Sequence, residues 1–136
     1  MDGKTRIDGG KGRMTQTDIT SRLTDDIDPT LLEFLRKKVN SFVKWDLVRF
    51  FHDNPHAADT AENIARYTGR DLRTISGELD ELAETGVLEQ SLVSGQIIYS
   101  LTSDQAMCEL IDVFVRACDD RVFRVKAIYH VIRGML

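Results

Sequence analysis

Cysteine and proline are scarce in this 136-residue chain, at two each, and tryptophan occurs once. Two cysteines, Cys108 and Cys118, are too few for the cross-linked framework of a small secreted domain. Placed on one helix, they stand about 15 Å apart along its axis, beyond disulfide reach, so no intrachain bridge is expected. No apolar run approaches the roughly 20 residues that cross a bilayer, and no apolar signal core opens the sequence. A cytoplasmic protein without a membrane partner is the expectation. Positive charge is in deficit as well. Eighteen Lys+Arg against 22 Asp+Glu leave a formal charge of −4. That excludes a bulk-basic nucleic-acid coat and confines any nucleic-acid contact to a local patch. Nucleophile elbow, nucleotide fingerprint and metal-protease motif are all missing, so neither enzyme activity nor a cofactor is expected.

Apolar residues make up 42% of the chain, enough for one core in a domain of this size. Residues 1–27 do not contribute to a regular pattern. They mix Gly, Thr and Asp with single apolar residues, and a mobile arm is expected. Within it, Gly9-Gly10-Lys11-Gly12 lacks the spacing, the preceding strand and the following helix of a phosphate loop. Order begins with a helix over 28–40. Asp28 suits its N-cap and Pro29 its first position, with Leu31, Leu32, Leu35 and Val39 at helical spacing. Asn40-Ser41 either caps a second helix or lies within one long one. Phe42, Val43, Trp45, Leu47, Val48, Phe50 and Phe51 follow, and the helix stops ahead of Pro55.

Asp59-Thr60-Ala61-Glu62 reads as a capping box with Asp in the usual Ser/Thr role. Ala61, Ile64 and Ala65 form the buried face of a short helix, closed by Gly69. Asp71 starts another helix, with Leu72, Ile75, Leu79, Leu82 and Ala83 as its stripe and Gly86 as its end. Strand-like runs over 87–93 and 96–101 flank Ser94-Gly95, a two-residue hairpin turn. Thr102 or Ser103 then caps one long last helix. Its stripe is Met107, Ile111, Phe114, Cys118, Val122, Val125, Tyr129 and Ile132, a nearly heptad spacing with one irregular step.

The fold class expected is mostly α with a small β-hairpin, in the element order of a winged helix-turn-helix with extra N- and C-terminal helices. Ile64-Ala65-Arg66-Tyr67-Thr68-Gly69, Thr74-Ile75-Ser76, Leu79, Leu82 and Gly86-Val87-Leu88 carry a resemblance. The stretch 41–102 resembles the core of bacterial arsenic-repressor-like and multiple-antibiotic-resistance-repressor-like winged-helix transcriptional regulators. The resemblance implies a domain at 41–102, preceded by the arm and the 28–40 helix and followed by a dimerisation helix at 103–136. It also implies a homodimer on double-stranded DNA, with 72–85 as the recognition helix entering the major groove. Arg73, Thr74 and Gly77 would then lie nearest the bases, and Thr60, Arg66, Arg70 and Ser76 nearest the phosphates. The stripe from Met107 to Ile132, with the surplus of Phe123, Ile128 and Val131, would be the dimer seam.

Charge pulls against DNA. Residues 59–102 hold three Lys/Arg against eight Asp/Glu, and the hairpin carries no Lys or Arg. Counterion release needs cations. Lys44, Arg49 and Arg36-Lys37-Lys38 are the residues that a fold would have to bring round. The alternative is a module that binds protein through the acidic face of Glu78, Asp80, Glu81 and Glu84. Other constellations read blandly. His52 and His56 have metal-ligand spacing but Pro55 between them, so no metal site is expected. Asp119-Asp120 beside Arg121 and Arg124 reads as solvated helix charges, with Arg124 reaching Asp120. Phe42, Trp45, Phe50 and Phe51 read as core, or else as the lining of a ligand pocket against the last helix.

Overall fold

The computed structural model describes residues 27–136, so the expected arm at 1–27 and its glycine-lysine patch lie, save for Ile27, outside the described residues. Six helices and three strands follow: α1 Pro29–Lys37, α2 Phe42–Asp53, β1 Ala58–Asp59, α3 Ala61–Thr68, α4 Leu72–Glu84, β2 Leu88–Val93, β3 Gln96–Leu101, α5 Gln105–Ala117 and α6 Arg121–Met135. The described chain is thus mostly helical with a small antiparallel sheet of order β1-β3-β2, an arrangement compatible with the expected fold class. No helix among these residues is long and apolar enough to cross a membrane.

Local chemistry starts most of the helices. Asp28 accepts the Thr30 and Leu31 amides with Pro29 at the first position, and Ser41 accepts the Lys44 amide. These bonds satisfy donors that have no partner inside the helix. At α3 the expected box shifts by one residue. Thr60, not Asp59, is the N-cap and accepts the Asn63 amide. Gly69 (φ +68°) ends α3 in the left-handed region, which suits glycine, and only Arg70 and Asp71 remain before α4. Ser94 and Gly95 both have positive φ, as a tight hairpin turn that follows the strand twist requires.

Two elements depart from expectation. Strand β1 is short and pairs Ala58 with Ser100 and Asp59 with Tyr99. Two residues carry no periodic signal, so the sequence pattern showed only the hairpin. The long last helix is two helices. The chain breaks at residues 118–120, where Asp120 caps α6 by accepting the Val122 amide. Arg124 donates from Nη1 to the Cys118 carbonyl at 2.8 Å, not to Asp120. The first cap also moves: Asp104, not Thr102 or Ser103, opens α5.

That break changes the meaning of the stripe. Ile111, Phe114 and Cys118 are buried within the single chain, and Met107 packs against the same core. Phe114 is an aromatic hub: its ring meets Phe34 at 5.3 Å, Trp45 at 5.4 Å and Phe123 at 6.3 Å. Ile111, Phe114 and Cys118 are therefore not available to a seam between copies, whereas Met107 is only partly buried. Past the break, α6 lies on α1 and buries Ala127 and Val131, while Val122, Val125 and Ile132 are exposed. Leu72, expected in the α4 stripe, is exposed as well, one residue into the helix and outside the buried row of Ile75, Leu79 and Leu82.

Between α2 and α4 the core contains a charge. Lys44 sits at the buried row of α2 with Leu47, Val48 and Phe51. Its ammonium donates to Asn40 Oδ1 at 2.7 Å and to Glu81, and lies 3.7 Å from Glu78. Ser41 Oγ donates to Glu78 at 2.5 Å. At the far end of α4, Lys38 Nζ donates to the Thr85 carbonyl at 2.7 Å, a cation on the negative end of a helix. A second polar contact holds α5 on α2: His52 Nε2 is 2.9 Å from Asp112, whose other oxygen accepts from Arg116 Nε at 2.9 Å.

Two predictions follow from these contacts. Lys44→Ala leaves Glu78 without its buried cation and should cost about 3 kcal/mol of unfolding free energy, the low end for a broken buried pair because Glu81 is half exposed. Lys44→Met removes the same cation but keeps most of the packing, so it should cost nearly as much; a loss close to zero for Lys44→Met in denaturant titration would contradict the charge account. The second concerns pH. The Asp112 hydrogen bond holds His52 above its ordinary value, against burial and with help from Asp53, and His52 then Arg116 lower Asp112. A raised histidine stabilises fully below its unfolded value near 6.5 and loses that contribution as pH rises through the folded value. Asp112 contributes above its unfolded value near 3.9 and loses that as pH falls through its lowered one. His130 works oppositely, since burial and then Arg36 and Arg133 lower it, so it costs stability below about pH 6.5. The stability gap between the parent and His52→Gln should be widest near pH 5.5 and narrow by pH 8.5; a gap independent of pH would refute the clasp.

Candidate nucleic-acid interface

Helix α4 buries Ile75, Leu79 and Leu82 and turns Arg73, Thr74, Gly77, Asp80, Glu81 and Glu84 to the exterior. Helical spacing places Arg73, Gly77, Asp80 and Glu84 along one outer row. At its N-terminal end, Asp71 caps the helix and accepts the Thr74 amide at 3.2 Å. Arg73 makes no ion pair or hydrogen bond with any described residue. Gly77 faces open space: a Cβ built there meets nothing within 4 Å. Ser76 is half-buried beside this row.

The five carboxylates of 71–84 do not form one acidic face. Asp71 is spent on the cap. Glu78 and Glu81 turn toward α2 and meet Lys44. Asp80 turns toward the sheet, where it accepts from the Tyr99 hydroxyl and from Gln90 Nε2 at 2.9 Å. Burial first, and then that bond to Asp80, push the Tyr99 phenol up to about 12. Glu84, at the last position of α4, has no such partner among the described residues. The acidic surface expected from composition is therefore divided between two intramolecular networks, with its remainder at the C-terminal end.

The expected cations are divided too. Arg70 donates from Nε to Asp46 Oδ2 at 2.9 Å, with Nη2 on the same oxygen. Arg66 donates to Asn63 on its own helix. Neither is buried, so both remain at the α3–α4 end, but each is already partnered. Thr60 is committed by its oxygen to the cap of α3. The other basic residues expected to be brought round are engaged elsewhere: Lys44 is buried, Lys38 holds Thr85, Lys37 pairs with Glu33 at 3.4 Å, Arg49 lies 4.0 Å from Asp119, and Arg36 lies near enough to His130 of α6 to act on it. The hairpin tip offers apolar surface instead, with Leu92, Val93 and Ile97 exposed and Leu92 opposite Ile97 across the strands.

Sequence reasoning missed Lys44 and Asp46 as determinants of this surface. A signal existed for Lys44, which occupies an apolar position in the row Lys44, Leu47, Val48, Phe51. For Asp46 there was none, because its partner lies 24 residues away. His52 and His56 do not share a helix. Helix α2 ends at Asp53, His52 is engaged with Asp53 and Asp112, and no group of three His, Cys, Asp or Glu among the described residues is placed to hold an ion. Both cysteines are free; Cys118 is buried, and that burial pushes its thiol up to about 11. Compared with known proteins, the chain matches no family model, no curated protein and no solved structure.

Proposed function

We propose that the chain is a winged helix-turn-helix transcriptional regulator that binds double-stranded DNA as a homodimer. In this reading α3 and α4 are the helix-turn-helix and β2–β3 is the wing. The observation that carries it is the partition of charge on α4. The carboxylates Glu78, Asp80 and Glu81 are drawn to Lys44 and Tyr99, while the leading end keeps an uncommitted Arg73 beside Thr74 and a bare Gly77. An arginine there can read guanine in the major groove, and a glycine lets the helix approach closely. Arg66 and Arg70 flank this end as phosphate contacts, with Thr60 and Ser76 as hydroxyl donors.

Three or so cations per copy give little counterion release, so a second copy is part of the proposal. The seam is α6, where Val122, Val125 and Ile132 are exposed and Tyr129 lies half-buried on the same side. Spacings of three, four and three residues set them on one helical face. Two half-sites make the second contact effectively intramolecular. One observation favours the other reading, a protein-binding module: the hairpin tip is apolar and carries no cation.

Retention of random genomic fragments at low and moderate salt tests the proposal. Arg73→Ala should weaken retention and reduce the salt slope by about one. Gly77→Ala should raise stability by about 0.5–1 kcal/mol, as expected where glycine is not required by the backbone or by packing, whereas Gly77→Leu should keep the fold and lose DNA. Should the parent retain no fragment at any salt, the DNA reading fails; if it then captures a basic protein partner, the protein-binding reading takes its place. For the seam, Val125→Glu should convert a dimer to a monomer in sedimentation at tens of micromolar; a parent that is already monomeric there would remove the seam.

A further inference from the structure

One cavity lies away from α4. It holds about 480 Å³ between the C-terminal end of α2, strand β1 and α3, and Phe50, Asn54, Ala57, Ala58, Asp59 and Tyr67 line it. That volume suits a small organic ligand. The lining is apolar and aromatic except for Asn54 and one charged group, Asp59. Phe50 and Tyr67 stack nearly parallel, with centroids 6.0 Å apart and planes at 19°. Of the aromatic cluster, Phe51 is buried, Trp45 meets Phe114, and Phe50 packs edge-on against Phe51 at 5.2 Å as well as on Tyr67 of α3.

Asp59 is held in place from three directions. Its Oδ1 accepts the Thr60 amide at 2.8 Å and Asn63 Nδ2 at 2.6 Å, and its Oδ2 accepts the Tyr67 hydroxyl at 3.1 Å. The Asn63 bond, then the Thr60 amide, hold the carboxyl below its usual range. Arg66 is near enough to act on it, yet its guanidinium donates to Asn63 instead. The C-terminal end of α2, where Asn54 closes onto the Phe50 carbonyl, adds the negative pole of a helix. A fixed negative charge, a helix C-terminus and aromatic ring surface all favour positive charge.

The chemistry also narrows the kind of cation. A divalent metal asks for several oxygen ligands, and here one carboxylate is already accepting three hydrogen bonds. Rounded methyl groups around a positive nitrogen match both the rings and the alanines. We propose that the cavity bounded by Phe50, Asp59 and Tyr67 is a binding site for a small quaternary or methylated ammonium compound, with Asp59 as its counter-ion.

The test uses the full chain, labelled with nitrogen-15 and titrated with choline chloride against sodium chloride at equal ionic strength. The amides of Ala57, Ala58 and Tyr67 should shift saturably with choline. The isostere 3,3-dimethylbutan-1-ol, with carbon in place of the charged nitrogen, should bind about tenfold more weakly or less. Asp59→Asn, which keeps an acceptor for the α3 end, should weaken choline about tenfold, and Tyr67→Leu severalfold. Comparing choline with its isostere on the unaltered chain keeps the test valid if a variant unfolds. The proposal is overturned if choline produces no saturable shift, if the isostere binds equally, if folded Asp59→Asn binds choline like the parent, or if magnesium chloride at the same ionic strength reproduces the shifts.

Discussion

The Lys44 ammonium fixes the geometry on which the outer surface depends. It is a cation inside a helix–helix contact, held by Asn40 of the preceding turn and by two carboxylates of α4. Apolar contact between α2 and α4 tolerates sliding and rotation, because it is not directional. A buried charge does not, since any rotation that carries Glu78 away leaves an unpaired ion at a cost of several kcal/mol. Lys38 on the Thr85 carbonyl and Tyr99 on Asp80 fix the same helix at its end and on its other side. Helix α4 is thus held by three polar contacts around one buried row, and the face left over is defined by subtraction: Arg73, Thr74, Gly77 and Glu84.

Much of this architecture was legible from local signals. Asp28-Pro29, Gly69, Asp71 and Ser94-Gly95 each act within a few residues, so the sequence alone places them, whereas it leaves open whether Ser41 caps a helix or lies within one. The break before α6 was misread for a physical reason. Apolar residues continue at near-helical spacing on both sides of residues 118–120, and periodicity does not record whether the backbone between them is continuous. The local clue was Asp119-Asp120, of which Asp120 is the cap; read as a charge pair, it concealed a helix start. Strand β1 is invisible for another reason. Its existence depends on pairing with Tyr99 and Ser100, about forty residues later.

The charges were the least legible part. Composition counts Lys44, Glu78 and Glu81 as surface ions, yet the fold makes one of them core and spends the others on it. A lysine in an apolar row of a helix is the general warning that a count of surface charge will fail, because burying a cation demands carboxylate or amide partners. The same holds for Arg70, which the α3–α4 turn brings onto Asp46. Net charge over 59–102 therefore describes the chain and not the face. The candidate surface is less acidic than its sequence, and also less basic.

This leaves an energetic constraint on any reading that involves DNA. The hairpin tip, with Leu92, Val93 and Ile97 exposed, has no cation to set against a phosphate. Among the described residues, counterion release would then come mainly from Arg66, Arg70 and Arg73, and part of it would be offset by breaking Arg70 from Asp46. Affinity of that kind scales with the number of cations delivered at once. It grows far more from doubling the whole unit than from improving a single contact, since the second unit acts at high effective concentration. On that reading the place for a second copy would be the α6 face of Val122, Val125 and Ile132, which the described residues leave exposed and which lies on a different helix from Arg73 and Gly77.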